Sequence, residues 1–163
     1  MNQEQVRHYL TYDYDTGKFY WKNPTAKRVK AGSEAGTLCK GYVRIYINGK
    51  GYHGHTLAIL YHYGYYPECV DHINHDTSDN RLSNLRVCSL TENQCNRLLN
   101  KNNKSGVKGV YWNKRYQKWS TQVTYKGVVH FCGNYKALSE AKEAVDRKRQ
   151  ELHKEYAFNG VIE

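Results

Sequence analysis

The sequence predicts an α+β chain in two parts. A β-rich N-terminal part holds a helix, hairpins and a strand–loop–strand–helix (ββα) unit, and a small three-stranded antiparallel sheet plus helix follows it. Three observations carry this. Val43, Ile45 and Ile47 alternate with Tyr42, Arg44 and Tyr46 ahead of Asn48-Gly49, a half-buried strand feeding a type I′ turn. The polar run "VDHINHDTSDNRLSNLRVCSLTENQCNR" is framed by short apolar segments and ends in a helix start. After residue 105, three aromatic or β-branched segments break at Lys114-Arg115 and Lys126-Gly127 before one long amphipathic helix.

Taken in order, residues 1–10 form a helix with Val6 and Leu10 at i, i+4 spacing. Asp15-Thr16-Gly17 turns into an aromatic strand, Phe19 to Trp21, and "NPTAKRVKAGSEAGT" reads as a basic flexible arm. Beyond the Asn48-Gly49 hairpin, "HTLAILYHYG" is a short helix stopped by Gly64. "ECV" is a strand leading into Asp71 and His72, a loop runs to Asn84, and "LRVC" is its partner strand. Ser89 and Glu92 form a capping box for a helix running to about Leu99. "NKNNKS" is a linker, and the closing helix places Ala141, Ala144, Val145, Leu152 and Tyr156 on or near one face. The division is 1–99, a linker at 100–105, and 106–160.

Composition narrows the partners. The 163 residues have a mean hydropathy of −0.88, and sixteen Tyr and three Trp make the modest core aromatic. The net charge of +10 suggests a polyanion, nucleic acid first. Residues 1–99 carry +3 and residues 100–163 carry +7, so the basic excess lies C-terminally. No apolar run is long enough for a membrane span and no secretory leader is evident, which predicts an intracellular, cytoplasmic protein with no membrane partner. Five Cys without C-x-x-C spacing read as small buried residues in a reduced compartment.

The polar run has the residues that phosphodiester hydrolysis needs: a base for water, and oxygen ligands for a cation. Asp71 and His72 are adjacent at a strand end, so one can ligate a hard cation while the other addresses water. Asn84 can supply the carbonyl that fixes the imidazole, and Asn93, in the first helical turn, a second oxygen ligand. So few protein ligands suit Mg²⁺, with Mn²⁺ as substitute. His75 is a rival base. Each residue alone also has an ordinary structural reading: Asp71 as a turn carboxylate, Asn84 as a strand cap, Asn93 as a solvated helix residue, Asp79 and Asn80 as Asx-turn braces.

"DHINHDTSDNRLSNLRVCSLTEN" closely resembles the HNH motif of phage and intron-borne homing endonucleases, and "YDYDTGKFYWK", "GYVRIYINGK" and "HTLAILYHYG" are similar to their usual lead-in. The resemblance implies a ββα-metal nuclease domain, with Asp71 and Asn93 as metal ligands, His72 as general base and Asn84 as its orienting residue. Arg81 and Arg86 fall where basic residues brace the loop or contact phosphate. Two departures are His75, where the family commonly has Gly, and Thr56, where it commonly has Arg after the upstream His. "SGVKGVYWNKRYQKWSTQVTYKG" followed by "LSEAKEAVDRKR" resembles the APETALA/ethylene-response-factor type of DNA-binding domain. That resemblance implies a sheet in the major groove.

Period two puts Tyr111, Asn113, Lys118, Gln122 and Thr124 on the reading face, with Lys108, Lys114 and Arg115 on phosphates. Val110, Trp119 and Val123 pack on the helix, and Arg147-Lys148-Arg149 is either a solvated face or a contact. Fewer Arg than in plant relatives favours positioning over base reading. The expected activity is therefore a one-cation endonuclease on double-stranded DNA, nicking as a monomer or cutting both strands as a homodimer, and leaving 5′-phosphate and 3′-hydroxyl ends. The alternatives are an inactive DNA-binding regulator on the same scaffold, and an RNA-directed protein.

Overall fold

The computed structural model describes residues 1–96, 99–100, 102–154 and 157. The chain divides into two compact units, Met1–Cys88 and Ser89–Glu163.

In the first unit, helix α1 (Gln3–Tyr9) starts at Asn2, whose side chain accepts from the Gln5 amide while the Gln5 side chain returns the bond. Strands β1 (Leu10–Tyr12) and β2 (Phe19–Trp21) pair antiparallel, and β3 (Glu34–Ala35) adds to β2. The turn between β1 and β2 is drawn tight by Asp13, which accepts from Asp15 and Thr16. A second sheet, β4 (Thr37–Cys39), β5 (Tyr42–Ile47) and β6 (Lys50–His53), turns at Asn48 and Gly49, both at positive φ as the hairpin signal requires. Ile45 and Ile47 face inward, while Tyr42, Arg44 and Tyr46 point the other way. Helix α2 (Gly54–Tyr63) buries Leu57, Ala58, Ile59 and Leu60 and stops at Gly64, φ +83°. Val6, Leu10, Phe19, Ile45, Ile47, Leu57 and Leu60 form one apolar core. That core supports a last hairpin, β7 (Val70–His72) and β8 (Leu85–Val87), joined through a 3₁₀ turn (Leu82–Asn84).

In the second unit, helix α3 (Leu90–Cys95) follows the capping box of Ser89 and Glu92. Strands β9 (Val110–Asn113), β10 (Lys118–Tyr125) and β11 (Val128–Tyr135) form the antiparallel sheet in the order β11-β10-β9, covered by α4 (Leu138–His153). Val110, Val123, Ala141 and Val145 are its buried core. Lys108, just ahead of β9, donates from its ammonium to the Cys95 carbonyl of α3 at 2.9 Å.

The architecture is thus mixed α and β with several small antiparallel sheets. Four expectations are corrected. The basic arm is bound to β2, since the Gly32 amide donates to the Trp21 carbonyl and the Trp21 amide to the Ser33 carbonyl, and its end supplies β3 and β4. Strand β7 begins at Val70, two residues later than "ECV". Helix α3 ends at Cys95, with Asn96 bonding back to Glu92, not near Leu99; Arg97 and Leu98, and Tyr156 of the last helix, lie outside the described residues. Arg149 is neither a solvated face nor a contact: it is 2% exposed and donates to Asp146 and to the Lys108 carbonyl.

Candidate active site

The β7–β8 hairpin sets Asp71 opposite Arg86 and His72 opposite Leu85. Residues 73–84 close on themselves. Ile73 donates to the Asn84 carbonyl at 2.9 Å, the Asn74 amide donates to Asn84 Oδ1 at 2.9 Å, and Asn84 Nδ2 donates to the Asp79 carbonyl at 2.9 Å. Asn74 Oδ1 accepts from Asp76, and Asp76 Oδ1 accepts from Ser78, giving successive Asx turns. The first of these bends needs His75 at φ +63°, a left-handed position that favours glycine. The loop is pinned from outside by Tyr12, whose hydroxyl donates to the Asn80 carbonyl at 2.8 Å, and by Thr77, which donates to Gly41 at 2.6 Å. Burial pushes the Tyr12 hydroxyl up to about 12, so it donates at all working pH values.

His72 is 5% exposed. Its Nε2 lies 3.3 Å from Asn80 Oδ1. An amide oxygen only accepts, so the contact selects the tautomer protonated at Nε2 and leaves Nδ1 as the basic nitrogen. Burial lowers the proton affinity of His72 below that of an ordinary imidazole, opposed by the Asn80 bond and then by Asp71. The ring is therefore neutral at pH 7, as a base must be. Its edge meets His55 at 5.1 Å and 87°, His55 stacks on His53 at 5.1 Å, and Tyr42 touches all three. Burial, then His72 and His53, push His55 down to about 3.

Asp71 is buried, and its Oδ2 accepts from Arg86 Nε at 2.8 Å and Nη2 at 2.7 Å. Arg81 grips Asp79 through Nε and Nη2, so between loop bracing and phosphate contact the structure gives Arg81 a brace. Arg86 likewise has an internal partner, Asp71.

The sequence expected Asn84 to orient the imidazole. Asn80 does this instead, because both ends of the Asn84 amide are spent on loop backbone. Asn84 acts on His72 only by setting the loop. His75 is a backbone bend next to the site. Asn93 lies in the first turn of α3, in the second unit, where its amide donates to the Ser89 carbonyl.

On the second-unit sheet, Tyr111 and Thr124 are exposed, Lys118 and Gln122 half-buried, and Lys114 and Arg115 at the exposed β9–β10 turn. Lys108 is turned onto Cys95, and Asn113 Oδ1 accepts from Arg115 and Tyr116, so neither side chain is simply displayed to a ligand. The face instead carries Val129 and Phe131, both exposed, through the register Thr124↔Val129 and Gln122↔Phe131. Trp112 and Trp119 meet edge to face.

Sequence reasoning did not single out Tyr42 or His53, and met His55 only as the upstream His ahead of Thr56; the three rings cluster beside His72.

Asp71 offers one buried carboxylate at a strand end next to His72, an oxygen donor of the kind that a hard divalent cation takes. Among the described residues no group of three or more His, Cys, Asp or Glu offers a softer metal a cage.

A strand–loop–strand with an aspartate and a neutral, clamped histidine at its end defines the class. The family model described as HNH endonuclease matches residues 52–95. The chain is 36% identical over 96 residues to Protein 3.8 of Escherichia phage T7, covering 58% of this chain and 74% of that protein. The chain carries an HNH endonuclease family domain at residues 52–95 and belongs to one family with this phage protein. No solved structure matches it. The family match ends before the sheet of the second unit begins.

Proposed function

We propose that the protein is a metal-dependent DNA endonuclease of the ββα-metal kind, with His72 as general base. The observation that carries this is the neutral His72 ring, buried and held through Nε2 by Asn80 next to the Asp71 carboxylate. In this reading Nδ1 takes a proton from the attacking water, and Asn84 keeps the loop that carries Asn80 closed. The motif assigns the metal ligands to Asp71 and Asn93, one Mg²⁺ or Mn²⁺ ion serving to neutralise phosphate charge and the departing 3′ oxygen. Arg86, paired with Asp71, holds that carboxylate in one orientation. The products are 5′-phosphate and 3′-hydroxyl ends, and one site per chain gives nicking by a monomer or a double cut by a homodimer. A homing role in a phage or intron follows only from the motif's likeness.

The second-unit sheet is proposed as the duplex-positioning surface, as in the APETALA type. Tyr111, Lys118 and Gln122 lie over the groove, with Lys114 and Arg115 at phosphates. The three-stranded sheet backed by a helix supports this, and the exposed Val129 and Phe131 add apolar contacts. No described helix is long and apolar enough to cross a membrane.

A DNA-binding regulator without turnover is the second reading, and the Asp71–Arg86 ion pair is the observation that favours it. Supercoiled plasmid incubated with Mg²⁺ or EDTA separates the two. Wild type should give open circles or linears only with Mg²⁺, and His72→Ala should bind DNA without cutting it. Intact plasmid and intact candidate target sites, with binding retained, would favour the regulator.

A further inference from the structure

The first unit holds a cavity of about 550 Å³ that the hydrolytic reading does not use. Trp21, Arg28, Lys30, Thr37, Arg44 and Tyr46 line it, between the former "arm" and the outward face of β4–β5. Its volume lies within the roughly 300–1,000 Å³ range of small-ligand pockets. The acid at its rim, Glu34, is taken by Lys18 at 2.9 Å. The side chains of Arg28, Lys30 and Arg44 have no hydrogen bond or ion pair among the described residues. Arg44 Nε is buried with no acceptor, and its guanidinium sits 5.9 Å from the Tyr46 ring centroid. A buried guanidinium donor left unmade is costly, and the fork is shaped for a phosphate. The exposed Tyr46 ring and the mostly buried Trp21 put aromatic carbon on the cavity wall, against which a sugar or base can pack.

The cavity also has an address. Arg44 and Tyr42 lie on one face of β5, two residues or about 7 Å apart. Arg44 is opposite His53 in the sheet, and the Tyr42 ring touches His53, His55 and His72. The pocket therefore lies on the sheet face whose Tyr42 ring touches His72.

We infer that this cavity is a substrate-strand subsite: it receives a backbone phosphate of the DNA strand, on Arg44 with Arg28 and Lys30, and covers the attached nucleoside with Trp21 and Tyr46. The inference rests on the DNA-endonuclease reading for its ligand. It assigns part of the DNA affinity to the first unit, beside the basic second unit.

The test uses full-length protein carrying His72→Ala, so that DNA stays whole, and anisotropy of a labelled 30-base-pair duplex from about 50 to 200 mM salt. Arg44→Gln should weaken binding about tenfold and flatten the log–log salt slope by about 0.9, the value for one phosphate. Arg28→Gln with Lys30→Gln, both on an exposed loop, should flatten it further and carries the test if Arg44→Gln misfolds. Arg44→Lys should keep the slope and recover part of the affinity. Unchanged affinity and slope in all variants, with tight binding by the His72→Ala parent, would overturn the subsite and leave the nuclease standing. A parent that binds no duplex overturns both. Arg44-dependent binding of free deoxyadenosine monophosphate, with duplex affinity unmoved, would reassign the cavity to free nucleotides and overturn the strand subsite.

Discussion

Asn80→Ala is the sharpest probe of how His72 is prepared. It removes an oxygen 3.3 Å from His72 Nε2 and an amide 3.4 Å from the Ser78 carbonyl, while the Asn80 backbone bond from Tyr12 survives. Both lost bonds are long and neutral, so each is worth about 0.5–1 kcal/mol net. A loss of about 1–2 kcal/mol should lower the melting temperature of the first unit by roughly 4–16 °C, given the usual scaling for a domain of this size. About 1 kcal/mol lost in holding the ring is a five- to tenfold loss of rate. The bond to Asn80 raises the proton affinity of His72, so its removal moves the acid limb of the pH–rate profile downward. A global packing defect would lower the rate without moving that limb. Initial rates of plasmid nicking across pH 5–8 measure both. An unchanged rate, or a limb moved upward, would refute the assignment of Asn80 as the tautomer-fixing partner.

Asn84→Ala should cost more in stability than Asn80→Ala, about 2 kcal/mol, because two part-buried loop backbone groups lose 2.9 Å partners; thermal melts rank the two variants. Gly17→Ala should abolish folding of the first unit, since its Cβ would run into the Arg81 backbone nitrogen at a φ of +71°. Gly49→Ala, at φ +78° with nothing within 4 Å, should cost only about 1 kcal/mol, and soluble yield with far-UV circular dichroism distinguishes them. His55 binds its proton less well folded than unfolded. The folded state therefore holds fewer protons between about pH 6.5 and 3, and stability falls as pH falls through that window, by about 2 kcal/mol at pH 5. His55→Phe should flatten this acid loss in denaturant titrations at pH 7 and pH 5.

Much of the fold was legible because its signals are local. Phe19–Trp21, the Asn48-Gly49 turn, the Gly64 stop and the Ser89–Glu92 box each depend on residues within a few positions, and each forms where expected. The extra strands β3 and β4 were not legible. Glu34–Ala35 and Thr37–Cys39 have weak strand preference and exist because β2 and β5 offer edges. The placement of Asp71 and His72 at a strand end was readable, and β7 does end at His72. The choice between Asn80 and Asn84 was not, since both are buried asparagines of one loop and only the path of the chain decides which amide meets the ring. Arg149 was misread for a similar reason. Its charge pointed outward, but Asp146 one turn earlier and the Lys108 carbonyl let the guanidinium be buried.

The polar composition of residues 73–84 follows from what this segment has to do. In the proposed reading, the base at this strand end needs a fixed ring but cannot be sealed in an apolar core, because water and a phosphate must reach it. Rigidity therefore has to come from polar groups that satisfy one another. Asn74, Asp76, Asp79 and Asn84 do so within the loop, and Arg81 neutralises Asp79 without leaving it. The apolar anchoring lies behind the loop, where Tyr12 brings a buried ring and one hydroxyl to the Asn80 carbonyl and Gly17 lets a backbone turn approach Arg81. A loop braced from its own side chains can stay exposed on its outer surface and still hold Asn80 against His72. Replacing any one brace should therefore be felt at the imidazole before it is felt in the core.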